Sequence, residues 1–303
     1  MKNLLYLFVA VLLFSCNSKE KKDTKKSHLL AENKEIRTYL YGSFVGYSMI
    51  EERDTTKPMI EENATTINIL IKRITESEVI AQRIIDGKSK PIKGQMRKTG
   101  NTFYFTLKET GDPKNDGVFN FEIQKDTTLV GTWTANDPTR GVTKRKFILR
   151  KREFKYDPNL MLPEGDMYID YENPKKVEAE EQEQEETEKD SISDEEDYES
   201  PSELFRAASG AITTINSSTT KLNESQLKNL KKLDLEILRN TIFARHGYAF
   251  KSSTVRQFFD FVPWYVPISE NVDAQLSETE KQNIALLKRF EKYAEDNYDS
   301  FGR

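Results

Sequence analysis

Between about Tyr39 and Glu153 apolar and polar residues alternate in short runs cut by turn residues, the period-two pattern of half-buried strands. The runs are Tyr39 to Ile50, Thr66 to Ile71, Glu78 to Ala81, Pro91 to Arg97, Thr102 to Phe105, Val118 to Ile123, Thr128 to Ala135 and Lys144 to Lys151. They predict about eight strands. Asp86-Gly87, Thr99-Gly100-Asn101 and Asp116-Gly117 offer the positive φ of tight turns, so the strands should follow one another as an antiparallel meander. Closing the meander into a barrel removes its exposed edges.

From about Glu203 the period lengthens to that of helices. Asp234 is placed to cap a helix carrying Leu235, Leu238 and Ile242 at three- and four-residue steps, and Gly247 is placed to end it. Ser277 and Glu280 form a capping box for a last helix with Ile284, Leu287, Phe290 and Tyr293 on one stripe. Phe258, Phe259, Phe261, Trp264 and Tyr265 cluster between the two helices. In a small domain without a disulfide such aromatics serve first as core, and secondarily as a platform for a sugar polymer or a peptide.

Residues 157–203 separate the two patterns, and from Glu178 to Glu188 they are almost all Glu and Gln. Like-charge repulsion predicts an acidic disordered linker. The chain begins with Met1, Lys2 and Asn3, then an apolar run from Leu4 to Phe14, then Ser15 and Cys16. An apolar run of about ten residues is half what a membrane span needs, so residues 1–15 read as a signal peptide. Leu13-Phe14-Ser15-Cys16 resembles the bacterial lipobox, which implies acylation of Cys16, the only cysteine of the chain. A polar, lysine-rich tether over 16–35 follows.

The expected class is therefore α+β. A β-meander or barrel spans 36–156, an acidic linker 157–203 and a small all-α domain 204–303. Gly42-Ser43-Phe44-Val45-Gly46 and Leu129-Val130-Gly131-Thr132-Trp133 resemble strand signatures of lipocalin-like barrels.

With 36% hydrophobic and 32% charged residues, the 303-residue chain suits two modest cores better than one large one. Residues 164–203 hold a net charge of −15, which leaves +11 for the rest of a chain whose total is −4. The basic residues are scattered along strands rather than clustered, which argues against a nucleic-acid partner. Two histidines, His28 and His246, and the absence of HExxH, GxSxG or P-loop strings give no basis for a catalytic centre, a metal site or a cofactor.

The helix reads Leu238-Arg239-Asn240-Thr241-Ile242-Phe243-Ala244-Arg245-His246-Gly247-Tyr248-Ala249-Phe250. It resembles the core of the YARHG domain, with Phe243 in place of the first tyrosine. The resemblance continues through Phe258-Phe259, Trp264-Tyr265 and Asn283-Ile284. It implies an extracellular bacterial module with no established catalytic residue. Arg239, Phe243 and His246 share a helix face, where His246 can complement the negative helix end. Arg239, Arg245, His246, Trp264 and Tyr265 are the candidate binding residues.

Together these features predict a membrane-anchored lipoprotein of the cell envelope, facing the periplasm or the cell surface. Its partners would be the bilayer and an envelope polymer or protein, and its YARHG module would be a noncatalytic binding or assembly element. Two alternatives are a carrier holding a small apolar ligand in the barrel and a weak hydrolase centred on His246.

Overall fold

The structure, a computed structural model, describes residues 34–165, 168–177 and 202–297. The signal peptide, Cys16, nearly all of the tether and the acidic run 178–201 lie outside the described residues.

Eight strands close into an antiparallel barrel in sequence order: β1 (Gly42–Arg53), β2 (Ala64–Ile74), β3 (Val79–Ile85), β4 (Lys88–Thr99), β5 (Thr102–Glu109), β6 (Gly117–Gln124), β7 (Thr128–Ala135) and β8 (Val142–Arg152). The first pairs with the last, Tyr47 opposite Ile148. The alternation read from the sequence decides which side chains point inward. Phe105 stacks on Phe121 with centroids 4.9 Å apart, Phe119 meets Phe147, and Ile67, Ile69 and Ile71 complete one wall of the buried core.

Asp86 and Gly87 take φ of 50° and 67°, and Gly100 takes 60°, as their turns require. Asp116-Gly117 is different. Gly117 is the first residue of β6 and lacks positive φ, and the connection is instead built on Asp112, whose carbonyl accepts from Asn115 and Asp116. A tight turn at Lys125 and Asp126, with φ of 49° and 59°, joins β6 to β7 without any glycine. Neighbouring strand pairing forces those two residues into the left-handed region.

The second unit is not all-α, and the expected linker is ordered in part. An antiparallel ribbon of β9 (Ile169–Val177) and β10 (Ser202–Ala207) precedes the helices. Ahead of it, residues 153–165 run across the helical module, where Leu162 joins the core, as does Tyr168 at the start of the ribbon. Asp170, fully buried, is the ribbon's anchor. Its carboxylate accepts from Arg206, Asn173 and Gln257, which offset its burial and hold it below the usual carboxylate range. Charge repulsion is thus overridden wherever an acidic side chain has fixed donors around it.

Among the described residues the helices are α1 (Ala211–Thr214), α2 (Glu224–Leu227), α3 (Lys232–Arg245), α4 (Ser253–Phe259) and α5 (Glu278–Asn297). None is long and apolar enough to cross a membrane. Asp234 is the third residue of α3 rather than its cap. It accepts from the Lys231 N–H in a capping box and from the backbone and hydroxyl of Ser209. Ser277 and Glu280 bond reciprocally as the sequence predicts. On the expected α5 stripe Ile284 and Leu287 are buried, but Tyr293 is half exposed.

The module packs on the outer wall of β1, β2 and β3, where Val45, Thr66, Asn68 and Ile84 face outward by alternation yet are buried. Asn68 Nδ2 donates to the Pro267 carbonyl at 2.7 Å, and Arg256 pairs with Glu62 at 2.5 Å. Gly87 serves this contact as well as its turn, since a Cβ there would lie 2.7 Å from the Lys251 backbone.

Asp260 sits beside Arg256 in the same contact, and burial pushes its carboxyl up to about 6 against the pull of that guanidinium. In the folded chain it keeps its proton to about pH 6, whereas an unfolded carboxyl releases it near 3.8. Folding therefore weakens as pH rises through that window. Asp260→Asn should raise stability above pH 6 by roughly 1–3 kcal/mol, with no gain below about pH 4. Urea titrations of both chains at the two pH values measure it.

Candidate functional site

The signature residues lie at the end of α3 and across the face of α5. Gly247, with φ of 72°, lets the chain leave α3 at once; a Cβ would meet Ile268 at 2.6 Å and Phe154 at 2.8 Å. This turn sets His246 against α5. Its Nε2–H donates to Glu280, 3.0 Å from Oε2 and 3.1 Å from Oε1, and its ring stacks on Tyr156 at 4.3 Å.

Glu280 is fully buried. Besides His246 it accepts from the Ser277 N–H and from the Tyr156 hydroxyl at 3.3 Å. Burial alone would raise its pKa, but these donors together hold it down to about 2. Tyr156 is driven the other way, to about 12, by burial and by the Glu280 charge. The acceptor sites of the carboxylate are thus occupied by the protein's own groups.

Arg245 is the largest fully buried side chain of the described residues. Its Nε donates to the Leu160 carbonyl at 2.7 Å and its Nη1 to Ser218 Oγ at 3.0 Å. Burial lowers its pKa to about 10, opposed by Glu280, so it stays charged at neutral pH. Arg239 pairs through both nitrogens with Glu291, at 2.6 and 3.0 Å, and donates to Asn240. Asn283, one turn beyond Glu280, accepts from the Leu222 N–H and donates to the carbonyls of Ser217 and Thr220. Two antiparallel helices are therefore joined where α3 ends by His246–Glu280, two turns back along α3 by Arg239–Glu291, and at its start by Lys232–Glu295.

Residues 211–292 match the YARHG domain. The match covers α1 to most of α5, so the barrel and the ribbon lie outside it. No curated protein matches the chain. Within the YARHG domain the name-giving arginine and histidine are internal struts. Each bonds a segment that precedes the domain, Arg245 to Leu160 and His246 to Tyr156 by stacking.

Tyr265 is buried, donating to the Tyr248 carbonyl at 2.7 Å. Trp264 lies differently. Its indole N–H donates to the Met161 carbonyl, and its ring lines an open cavity of about 400 Å³ with Arg152, Lys155, Asp157 and Leu160. Arg152 is held there by the carbonyls of Pro263 and Tyr265. A second cavity of about 430 Å³ lies between Tyr168, Ala208 and Ile212.

Five candidate residues thus divide. Arg239, Arg245, His246 and Tyr265 are built into the module, and only Trp264 borders a cavity. Arg152 and Lys155 complete that groove, and neither stood out in a sequence whose basic residues are dispersed. Among the described residues no His, Cys, Asp and Glu cluster has the geometry of a metal site.

Proposed function

We propose that the chain is a membrane-anchored lipoprotein of the cell envelope. In this reading the YARHG module and the barrel act together as a noncatalytic binding element, through the groove around Trp264. The carrying observation is the division of labour among the signature residues. Arg245 and His246 are committed to fixing residues 156–160 on the module, and those residues form one wall of the groove. A module built this way offers a preformed surface at the junction of two folded units, a common location for binding sites. The one described histidine already donates to a buried carboxylate, so its ring serves the fold.

The groove combines the Trp264 ring with two cations, Arg152 and Lys155, and two carboxylates, Glu153 and Asp157, a mixed polar and aromatic lining that suits an envelope polymer bearing sugar rings. The closed barrel also fits the second reading, a carrier of a small apolar ligand, which would be held where Phe105, Phe121, Phe119 and Phe147 meet.

Residues 17–303, immobilised, should retain peptidoglycan sacculi or an envelope polysaccharide fraction. Trp264→Ala should reduce that retention by roughly tenfold, the cost of an aromatic anchor. Lys155→Ala, at an exposed position with no fold to disturb, should reduce it severalfold. Unchanged retention in both variants overturns the groove assignment.

A further inference from the structure

The outer wall of β8 carries Lys146, Ile148, Arg150 and Arg152 at every second position. The strand register places Thr132, Val130 and Thr128 of β7 beside the first three of these, and Met49, Tyr47 and Val45 of β1 on the other side. Val45 is covered and Arg152 is bound where the module begins, the β7 residues are partly exposed, and Lys146, Ile148 and Arg150 are exposed. Ile148 is 62% exposed, Tyr47 and Met49 are exposed, and Phe261 of the module, 60% exposed, rests on the Tyr47 ring with centroids 5.7 Å apart.

Beyond Met49 the wall continues into the β1–β2 loop, which lies over the β7–β8 turn through Asp54 N–H to Gly141 O. That loop presents Met59 and Ile60, the latter 89% exposed. Half of the large apolar side chains exposed among the described residues lie on this wall, on the module edge beside it or in the loop that continues β1.

The charges there are biased to one sign. Glu51 and Glu52 meet Lys144, Asp54 meets Lys57, Glu61 meets Arg140 and Arg145, and Glu62 meets Arg256. Lys146 and Arg150 have no carboxylate partner among the described residues; Arg150 donates only to the Thr128 hydroxyl. The β7 row alongside is uncharged.

We infer that this β1–β8 meridian, with the β1–β2 loop, docks on an anionic lipid bilayer. Its shape and chemistry both argue for that partner. The wall of a closed barrel is convex and offers no groove for a helix or a strand, whereas apolar tips projecting between cations can enter the headgroup boundary while the cations meet lipid phosphates. Large apolar side chains gathered on one exposed face need such an explanation, because scattered ones do not cluster. The inference is independent of the groove and of acylation at Cys16.

The test uses residues 17–303, which lack the thiol, in sedimentation with vesicles of phosphatidylcholine alone or with 30% (roughly, to give a clearly anionic surface) phosphatidylglycerol. Binding should appear only with the anionic lipid and weaken with salt. Each cation near such a surface is worth roughly fivefold in partitioning, so Lys146→Glu with Arg150→Glu should lower binding at least tenfold. Ile148→Ser with Ile60→Ser should lower it comparably while leaving the salt dependence in place.

Lys93→Glu with Lys108→Glu, an equal charge change on exposed, mutually paired positions of β4 and β5, should change it less than threefold. All variants are at exposed sites, so circular dichroism should match the parent. Equal binding to both vesicles, equal loss in the β4–β5 control, or association with a soluble acidic protein but not with vesicles overturns the inference. Loss of polysaccharide retention without loss of vesicle binding would strike the groove alone.

Discussion

Glu280→Ala is expected to destabilise the helical module by about 3–5 kcal/mol, the usual consequence of leaving several buried donors without their shared acceptor. Three donors lose their acceptor at once: His246 Nε2–H, the Ser277 N–H and the Tyr156 hydroxyl. The same change leaves only the Ser277 hydroxyl half of the α5 capping box and removes the anion nearest to buried Arg245. Urea unfolding followed by far-ultraviolet circular dichroism should show the helical transition moving to lower denaturant while the barrel transition stays in place. Should both move together, the two units unfold as one, which the Asn68–Pro267 and Arg256–Glu62 contacts permit.

The same carboxylate predicts the acid behaviour. Its folded pKa is depressed to about 2 from an ordinary value of 4.5, so the stability it contributes is complete above about pH 4.5 and disappears as pH falls toward 2. The shift corresponds to about 3 kcal/mol at most. Glu280→Gln should lose that part of the acid response while keeping the side-chain volume. An acid midpoint unchanged by Glu280→Gln would show that other carboxylates control acid unfolding.

Glu109→Ala is expected to be equally severe for the barrel, about 3–5 kcal/mol. Glu109 is buried at the end of β5. Its Oε2 accepts from the Gly117 N–H and from Trp133 Nε1, each at 2.9 Å, and its Oε1 pairs with Arg83 at 2.7 Å. One side chain thus ties β3, β5, β6 and β7 together, and Gly117 must be glycine because a Cβ would lie 2.3 Å from the Trp133 indole nitrogen. Without the carboxylate a backbone N–H, an indole N–H and a guanidinium are left inside a closed wall. Trp133 fluorescence during denaturant unfolding reports the loss. Arg83→Met, which removes only the more accessible partner, should cost less, about 1–2 kcal/mol.

How much of this was legible in the residues differs by element. The eight barrel strands follow from alternation, and the turns at Asp86-Gly87 and Gly100 follow from the need for positive φ. The Lys125-Asp126 turn carries no such mark, since it holds no glycine and only the strand pairs on either side impose the left-handed region on a lysine. The β9–β10 ribbon was hidden by composition. Ile169-Asp170-Tyr171 stands in an acidic stretch, and the donors that stabilise Asp170, Arg206 and Gln257, are 36 and 87 residues away.

In the site, the capping box at Ser277 and the helix stop at Gly247 could be read locally. The role of His246 could not. Its position at the end of α3 suggested a partner among the last carbonyls of its own helix, and instead its partner is Glu280 on α5, with Tyr156 from the segment just before the supposed linker stacked on it.

The amino-acid sequence by itself determined where strands and helices form, because those depend on periodicity, capping and turn residues within a few positions of one another. It also determined the YARHG domain, whose core string at Phe243 to Gly247 and later aromatic and Asn283-Ile284 positions can be read without a structure. Tertiary structure alone decided which polar side chains are struts and which are free, since that depends on whether a distant donor or acceptor arrives at about 3 Å in a place without water. It also assembled Trp264 with Arg152 into a groove, and Ile148 with Tyr47, Phe261 and Ile60 along one face, by closing β8 onto β1 and folding the module against the wall.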